Sequence, residues 1–239
     1  MAFDYSVLHD NFTYLLWGRV ADGDPGGVLL TLIMAISAGA LSLVLGVAMA
    51  ALAWRFGGWT RRALFIWADF IRGIPLIFVI FWLYFLMPVV FGSAIPGTLT
   101  VILALAWFTS AAVMHSTLSG LESLPAGQSE AGLASGFSQW QILRVLLLPQ
   151  ALSNLLPSYL GLLISLLKDT SLAFIVNVPE LTTVAGQVNN RVQIYPAEIF
   201  LFIGLIYYLL CATLAAVAGK WMNKKTKAQQ PDITRVQGI

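Results

Sequence analysis

The chain has 239 residues, of which 59% are hydrophobic and 10% charged, with a formal net charge of +2 and a mean hydropathy of +0.83. Soluble domains run near 45–50% apolar and about 25% charged, so this balance excludes a soluble enzyme, a disordered chain and a nucleic-acid-binding protein. A membrane span takes about 20 apolar residues, so the length holds roughly five or six spans and no large soluble domain beside them.

The N-terminal residues carry Asp4, His9 and Asp10 and lack the basic-then-apolar start of a signal peptide. The first uncharged run lies between Asp24 and Arg55, and residues 27–54 can cross a bilayer with some tilt. Arg55, Arg61 and Arg62, with Gly57 and Gly58, form a short basic loop. A second helix is predicted from near Arg62 to residue 90, with Asp69 and Arg72 inside it. Pro75 kinks it, because proline cannot donate to the carbonyl of Ile71. No formal charge occurs from Gly73 to Leu121, and the turn-like residues 92–97 divide that stretch, leaving a third span at 98–120. A more polar stretch, 122–144, follows. The apolar run resumes at Val145 with Pro149 and Pro157 near its start, giving a fourth span at 151–175 that is interrupted by Lys168 and Asp169. Residues 177–196 are polar and read as a loop. The fifth span, 199–219, holds the single cysteine, Cys211, which excludes a disulfide framework and a cysteine metal site.

Loops on one side of these spans hold Arg55, Arg61, Arg62, Arg144, Lys220, Lys224, Lys225, Lys227 and Arg235. The other side holds only Arg19 and Arg191, beside Asp4, Asp10, Asp22 and Asp24. The positive-inside rule therefore puts the N-terminus outside and the C-terminus in the cytoplasm.

The cytoplasmic stretch 123–150 is the most informative. Pro125 suits the first turn of a helix, and Gly136 suits the left-handed residue that ends one. Ser138 followed by Gln141 is a capping box that starts another. Two short helices with a sharp turn at Gly136 are expected, and Pro149 marks the entry to the fourth span. On these signals alone an ordinary loop with an interfacial helix is the simpler reading.

At this point the sequence resembles a family. Glu130-Ala131, then Gly136, Ile142 and Leu148-Pro149, are similar to the EAA loop of ABC importer permeases, and Pro125, Gly127 and Gln128 resemble its polar amino-acid subfamily. Arg72-Gly73-Ile74-Pro75-Leu76 and Lys168-Asp169-Thr170-Ser171-Leu172 resemble two further motifs of that subfamily. The resemblance implies an all-α membrane protein of the type I importer fold, with five transmembrane helices. It implies a periplasmic segment 1–26, a permease domain 27–219 with its coupling loop at 122–150, and a cytoplasmic tail 220–239. It also implies a location in the bacterial inner membrane and three kinds of protein partner: a second permease subunit, two cytoplasmic ATPase subunits and a periplasmic or lipid-anchored substrate-binding protein. The ATPases would dock on Glu130, Ala131, Gly136, Ile142 and Pro149. The chain has no G-x-x-x-x-G-K-[ST] loop, since Gly219-Lys220 is followed by Trp221. ATP would be bound by the partners, and no cofactor, metal or enzymatic activity is expected here.

Arg72 lies about 15 Å into span two at 1.5 Å per residue, near the midplane, where a charge costs several kcal/mol unless it faces protein or water. Asp69 is on the same helix face. Either the two neutralise each other, or Arg72 lines the translocation path beside a carbonyl freed by Pro75. Lys168 either snorkels outward or, with Asp169 and Ser171, borders that path as the family pattern implies. Span three departs from the family. Where an acid and then an arginine are usual, this chain has His115 and Leu118. His115 reads as a hydrogen-bonder within the bundle or as a ligand contact. The departure favours a heterodimer, in which a paralogue supplies the missing contacts, over a homodimer.

The candidate path is thus Asp69, Arg72, Pro75, His115, Lys168, Asp169 and Ser171. Its cations favour acidic amino acids, glutamate or aspartate, carried by alternating access. Glutamine, histidine or arginine is the alternative. An ion-coupled transporter using Asp69, Arg72 and His115 as a relay is opposed by the odd span count, the small size and the lack of a repeat. An intramembrane enzyme is opposed by the absence of the corresponding motifs.

Overall fold

In the computed structural model, which describes residues 6–92, 95–192 and 196–229, the chain opens with helix α1 (Ser6–Trp17). A small antiparallel hairpin follows, β1 (Gly18–Arg19) against β2 (Asp24–Pro25). The first span is α2 (Gly27–Phe56). It packs along α6 (Gly97–Glu122), and this pair forms the middle of the bundle. Glycine permits the close approach. A Cβ on Gly46 would lie 2.5 Å from Val113 and 2.8 Å from the carbonyl of Ser110. Small residues at helix crossings give membrane bundles their packing in the absence of a hydrophobic drive. Buried hydroxyls bond back to their own helix, as with Thr31 to Gly27 at 3.0 Å and Thr117 to Val113 at 2.6 Å.

Prolines place the irregularities. α3 (Gly58–Gly73) ends before Pro75, and the chain resumes as α4 (Leu76–Phe81), a wide π-type turn (Trp82–Leu86) and α5 (Met87–Phe91). The two parts meet at 101°, a corner and not the kink expected for span two. Nor does Pro75 free a carbonyl, because the amide of Ile74 bonds to Ile71 at 3.4 Å. Both wide turns, Trp82–Leu86 and Ile142–Leu147, directly precede a proline-bearing turn, at Pro88 and Pro149. A proline lacks the N–H that would close the preceding α-turn, and the helix widens to compensate. Pro157 likewise separates α9 (Leu148–Asn154) from α10 (Leu156–Asp169).

Between α6 and α9 lie α7 (Ala126–Ala134) and the short α8 (Gln139–Gln141). After α10 a 3-10 segment (Thr170–Val176) leads to α11 (Leu181–Val192) and then α12 (Pro196–Gln229). α11 corrects the loop expected at 177–196. The stretch is polar on average, but Leu181, Val184, Ala185 and Val188 fall on one helical stripe and are buried against Leu15 and Ile199. The expected turn at 92–97 is anchored by Gly92 in a left-handed conformation (φ 69); Ser93 and Ala94 lie outside the described residues, as do Asp4 and Arg235.

Among the described residues four helices are long and apolar enough to span a bilayer, and the bent pair α3 with α4–α5 gives five if it crosses as one broken span. Five crossings put Asp22 and Gly127 on opposite faces. In an otherwise cysteine-free chain, a cysteine at exposed Asp22 is expected to react with an impermeant maleimide in intact cells. One at exposed Gly127 is expected to react only after the membrane is opened. Labelling of both from outside would mean that the bent pair turns back without crossing.

Candidate substrate path and coupling surface

The loop chemistry forms as its residues dictate. Pro125 sits immediately before α7, one residue outside the first turn. Gly136 has φ 80, a left-handed value that favours glycine. Its amide bonds to Leu133 at 3.0 Å, and that of Phe137 to Gly132 at 3.0 Å. Ser138 and Gln141 make the capping box, the Gln141 amide donating to Ser138 Oγ and the Ser138 amide to Gln141 Oε1. Glu130 is exposed on α7, and Ala131 lines a concavity of about 320 Å³ with Gly132 and Leu146.

Ile142 is the buried counterpart. With Leu121, Leu143, Leu147 and Ala151 it forms a small core to which Ala51 and Trp54 of α2 add. This core joins the ends of α2, α6 and α9, and α7 lies against its Ile142–Leu147 turn. Gly132 makes the contact possible, since a Cβ there would lie 2.8 Å from Ile142. Sequence reasoning missed Gly132; its only signal is a glycine one turn before Gly136 on a helix that must lie flat on another. Across the same face, Arg61 of α3 pairs bidentately with Glu122 of α6, and Gln128 and Gln150 exchange amide hydrogen bonds.

Arg72, at the end of α3, lines a cavity of about 130 Å³ with Asp169 at the end of α10. Thr109 of α6 and Ser165 of α10 add hydroxyls, and Phe108, Ala112 and Leu162 are apolar walls. One cation, one carboxylate and two hydroxyls around a small cavity match the charges of a zwitterion.

Asp69 is not Arg72's partner. Its Oδ1 lies 3.2 Å from Nε2 of His115 on α6, although off the line of a hydrogen bond. The His115 ring meets Phe65 edge-on at 4.8 Å. The i, i+3 spacing of Asp69 and Arg72 suggested a pair, but the packing of α3 on α6 supplies Asp69 with a nearer partner. His115 thus sits one turn along α6 from the Arg72 cavity and does not line it. Lys168 is exposed beside Asp169 and also lies off the cavity; Ser171 is half-buried on the 3-10 segment. Pro75 caps the start of α4, one turn past Arg72.

Sequence reasoning also missed Glu180. It is fully buried and starts α11. It accepts from the amides of Thr182 and Thr183, both at 2.9 Å, from Thr183 Oγ1 at 3.2 Å and from Tyr207 Oη of α12 at 2.9 Å. Next to it the amide of Leu181 bonds to Thr31 of α2. Glu180 therefore locks the start of α11 to α12, and the Leu181 amide ties it to α2. Burial pushes its carboxyl above the ordinary 4.5, and these hydrogen bonds pull it only part of the way back. A carboxyl whose folded value is raised binds its proton more tightly when folded, so stability falls as pH rises from the ordinary value through the folded one. The thermal midpoint of the purified permease is expected to decline over that window, and Glu180→Gln is expected to flatten the decline. Glu180→Ala, which strands the buried donors, should destabilise by about 1–3 kcal/mol at every pH. A wild-type slope in the glutamine variant would remove Glu180 as the titrating group.

Residues 42–228 match the family of binding-protein-dependent transport system inner membrane components. Among curated relatives, a probable glutamine ABC transporter permease of Bacillus subtilis is 33% identical over 84% of this chain and 92% of its own. A glutamate/aspartate import permease of Escherichia coli is 26% identical over 94% of this chain and 98% of its own. Among solved structures, an amino acid ABC transporter crystallised with histidines superposes with a TM-score of 0.78 at 23% identity, covering 94% of this chain and 100% of the other. The MetNI methionine ABC transporter, in an inward-facing conformation, superposes with a TM-score of 0.70 at 23% identity over 83% of this chain and 94% of its own.

Proposed function

Because the chain belongs to the family of binding-protein-dependent transport system inner membrane components, we propose that it is the permease subunit of an ATP-driven importer of acidic amino acids, glutamate or aspartate, in a bacterial inner membrane. An amino-acid ABC importer permease is the common ground of its relatives, which include glutamine and glutamate/aspartate permeases. The observation that carries the acidic reading is the convergence of Arg72 and Asp169 on one cavity. Asp169 suits an α-ammonium group and Arg72 a carboxylate. Lys168, exposed beside Asp169 but off the cavity itself, adds a positive charge on its approach, which suits a substrate with a second carboxylate. Two ATPase subunits would bind over Glu130 and α7 and drive alternating access through the core at Ile142. A second permease subunit, a paralogue by preference, would complete the path.

Glutamine is the second reading, favoured by the Bacillus relative. The deciding measurement is ATPase activity of the reconstituted complex, with its binding protein, across glutamate, aspartate, glutamine, histidine and arginine. Half-maximal stimulation at the lowest concentration is expected for glutamate or aspartate. Glutamine in first place would establish the second reading, and no stimulation by any of the five would remove amino-acid import.

A further inference from the structure

The two basic residues that the charge pattern leaves on the outer side, Arg19 and Arg191, are far apart in the chain yet line the same cavity of about 610 Å³. Arg19 comes from the β1–β2 hairpin and Arg191 from the last turn of α11. Tyr14, Asp24 and Gln187 complete the polar wall. We infer that this cavity is a socket for an acidic side chain carried on a surface loop of the substrate-loaded binding protein. The inference rests on the reading of the chain as a binding-protein-dependent permease.

The wall is fixed before any partner arrives. The amide of Gly26 bonds to Trp17 at 3.1 Å and that of Gly27 to Pro179 at 2.9 Å, tying the hairpin to the loop before α11. The fit there is tight enough that a Cβ on Gly18 would lie 2.4 Å from Gly26. Tyr14 Oη donates to Gln187 Oε1 at 2.5 Å, and the Arg191 guanidinium lies 5.4 Å over the Tyr14 ring. This stacking orients Arg191 while leaving its donors unused. Neither arginine is in an ion pair among the described residues. With Asp24 as the one carboxylate in the wall, the cavity keeps a positive charge. Its volume suits several side chains of a loop more than one small solute, and Trp17, two residues before Arg19, is exposed. Tryptophan, tyrosine and arginine are the residue types that dominate protein–protein binding energy. The same α11 is held to α12 through Glu180 and to α2 through the Leu181 amide, so a load on Arg191 meets the transmembrane bundle directly.

The test titrates the glutamate-loaded binding protein of the same transporter against the reconstituted complex and reads ATPase stimulation. Arg19→Glu and Arg191→Glu are each expected to raise the half-stimulating concentration by about tenfold or more. The maximal rate at saturation and the basal rate should stay unchanged, and added salt should weaken the wild type toward the variants. Arg19→Gln, on the exposed rim, should give a smaller rise and covers the case in which a reversed charge impairs folding. An unchanged half-stimulating concentration would overturn the socket, as would a fall in maximal rate alone. If the variants instead shift stimulation by free glutamate without the binding protein, the cavity is a solute vestibule and the inference also fails. A wild-type complex that the loaded binding protein does not stimulate would instead refute the proposed function, so the two failures are distinct.

Discussion

In a complex carrying Gly136→Pro, uptake and ligand-stimulated ATP hydrolysis are expected to fall below detection while the permease reaches the membrane at normal abundance. Proline fixes φ near −65°, whereas Gly136 sits at φ 80 and donates its amide to Leu133. The substitution removes that bond and forces the turn open, at a local cost of about 3 kcal/mol or more. The spans do not depend on this turn, because the core around Ile142 and the α2–α6 packing lie outside it. What changes is the angle at which α7 stands on the inner face. Glu130→Lys tests the same surface by charge alone. Glu130 is exposed and contributes nothing to the loop's core, so its reversal should leave the fold intact and break pairing with a basic residue on the ATPase. Uptake assays run beside membrane abundance decide the matter; normal uptake in both variants would take this loop out of the coupling mechanism.

The inner-face loop was legible because its signals are local. A proline, a left-handed glycine and a capping box each act within four residues; the glycine and the capping box appear where expected and the proline one residue before the first turn. The first and last spans were legible for a related reason, since gaps between charges mark them directly. Residues 177–196 were not. Their average polarity hides an apolar stripe that has meaning only once α1 and α12 are there to cover it. Glu180 was unreadable for the same cause. A lone glutamate in a polar stretch looks solvated, and only the approach of Tyr207 from α12 makes it a buried anchor. The corner at Pro75 exceeds what a missing hydrogen bond alone produces, and α4 beyond it packs on α6, with Leu76, Val79 and Ile80 in the same core as Leu105. Asp69 shows the general limit. Helical spacing names Arg72 as its neighbour, but the group beside its carboxylate, the His115 ring, comes from another helix, and no spacing rule reports a contact between helices.

That corrected pairing sharpens what is expected of Arg72. It is exposed at the rim of its cavity and makes no ion pair with Asp69 among the described residues, so Arg72→Ala should leave abundance close to wild type. If Arg72 holds a substrate carboxylate, losing one hydrogen bond to a charged group removes about 1.5–3 kcal/mol, or roughly 10- to 100-fold in transport efficiency. The loss should be greater for glutamate than for glutamine, because the extra charge feels the cation most strongly where water is excluded. Asp169→Asn should lower uptake of both to a similar degree, since both carry the same ammonium group. The structural alternative makes a different forecast. Were Arg72 only a counter-ion for Asp69, the single variant would strand a carboxylate in the membrane and abundance would fall, and Asp69→Ala combined with Arg72→Ala would restore abundance and uptake together. The geometry instead predicts additive effects for that double variant and a coupled, non-additive effect for Asp69→Ala combined with His115→Ala. Abundance and uptake measured across the singles and both doubles separate the cases. Recovery of uptake in the Asp69–Arg72 double would end the substrate role of Arg72. Additivity there, with coupling confined to Asp69 and His115, would leave Arg72 free to face the path, next to a corner in the backbone of the kind that membrane proteins tolerate only where it is buried in protein or lines a water-filled cavity.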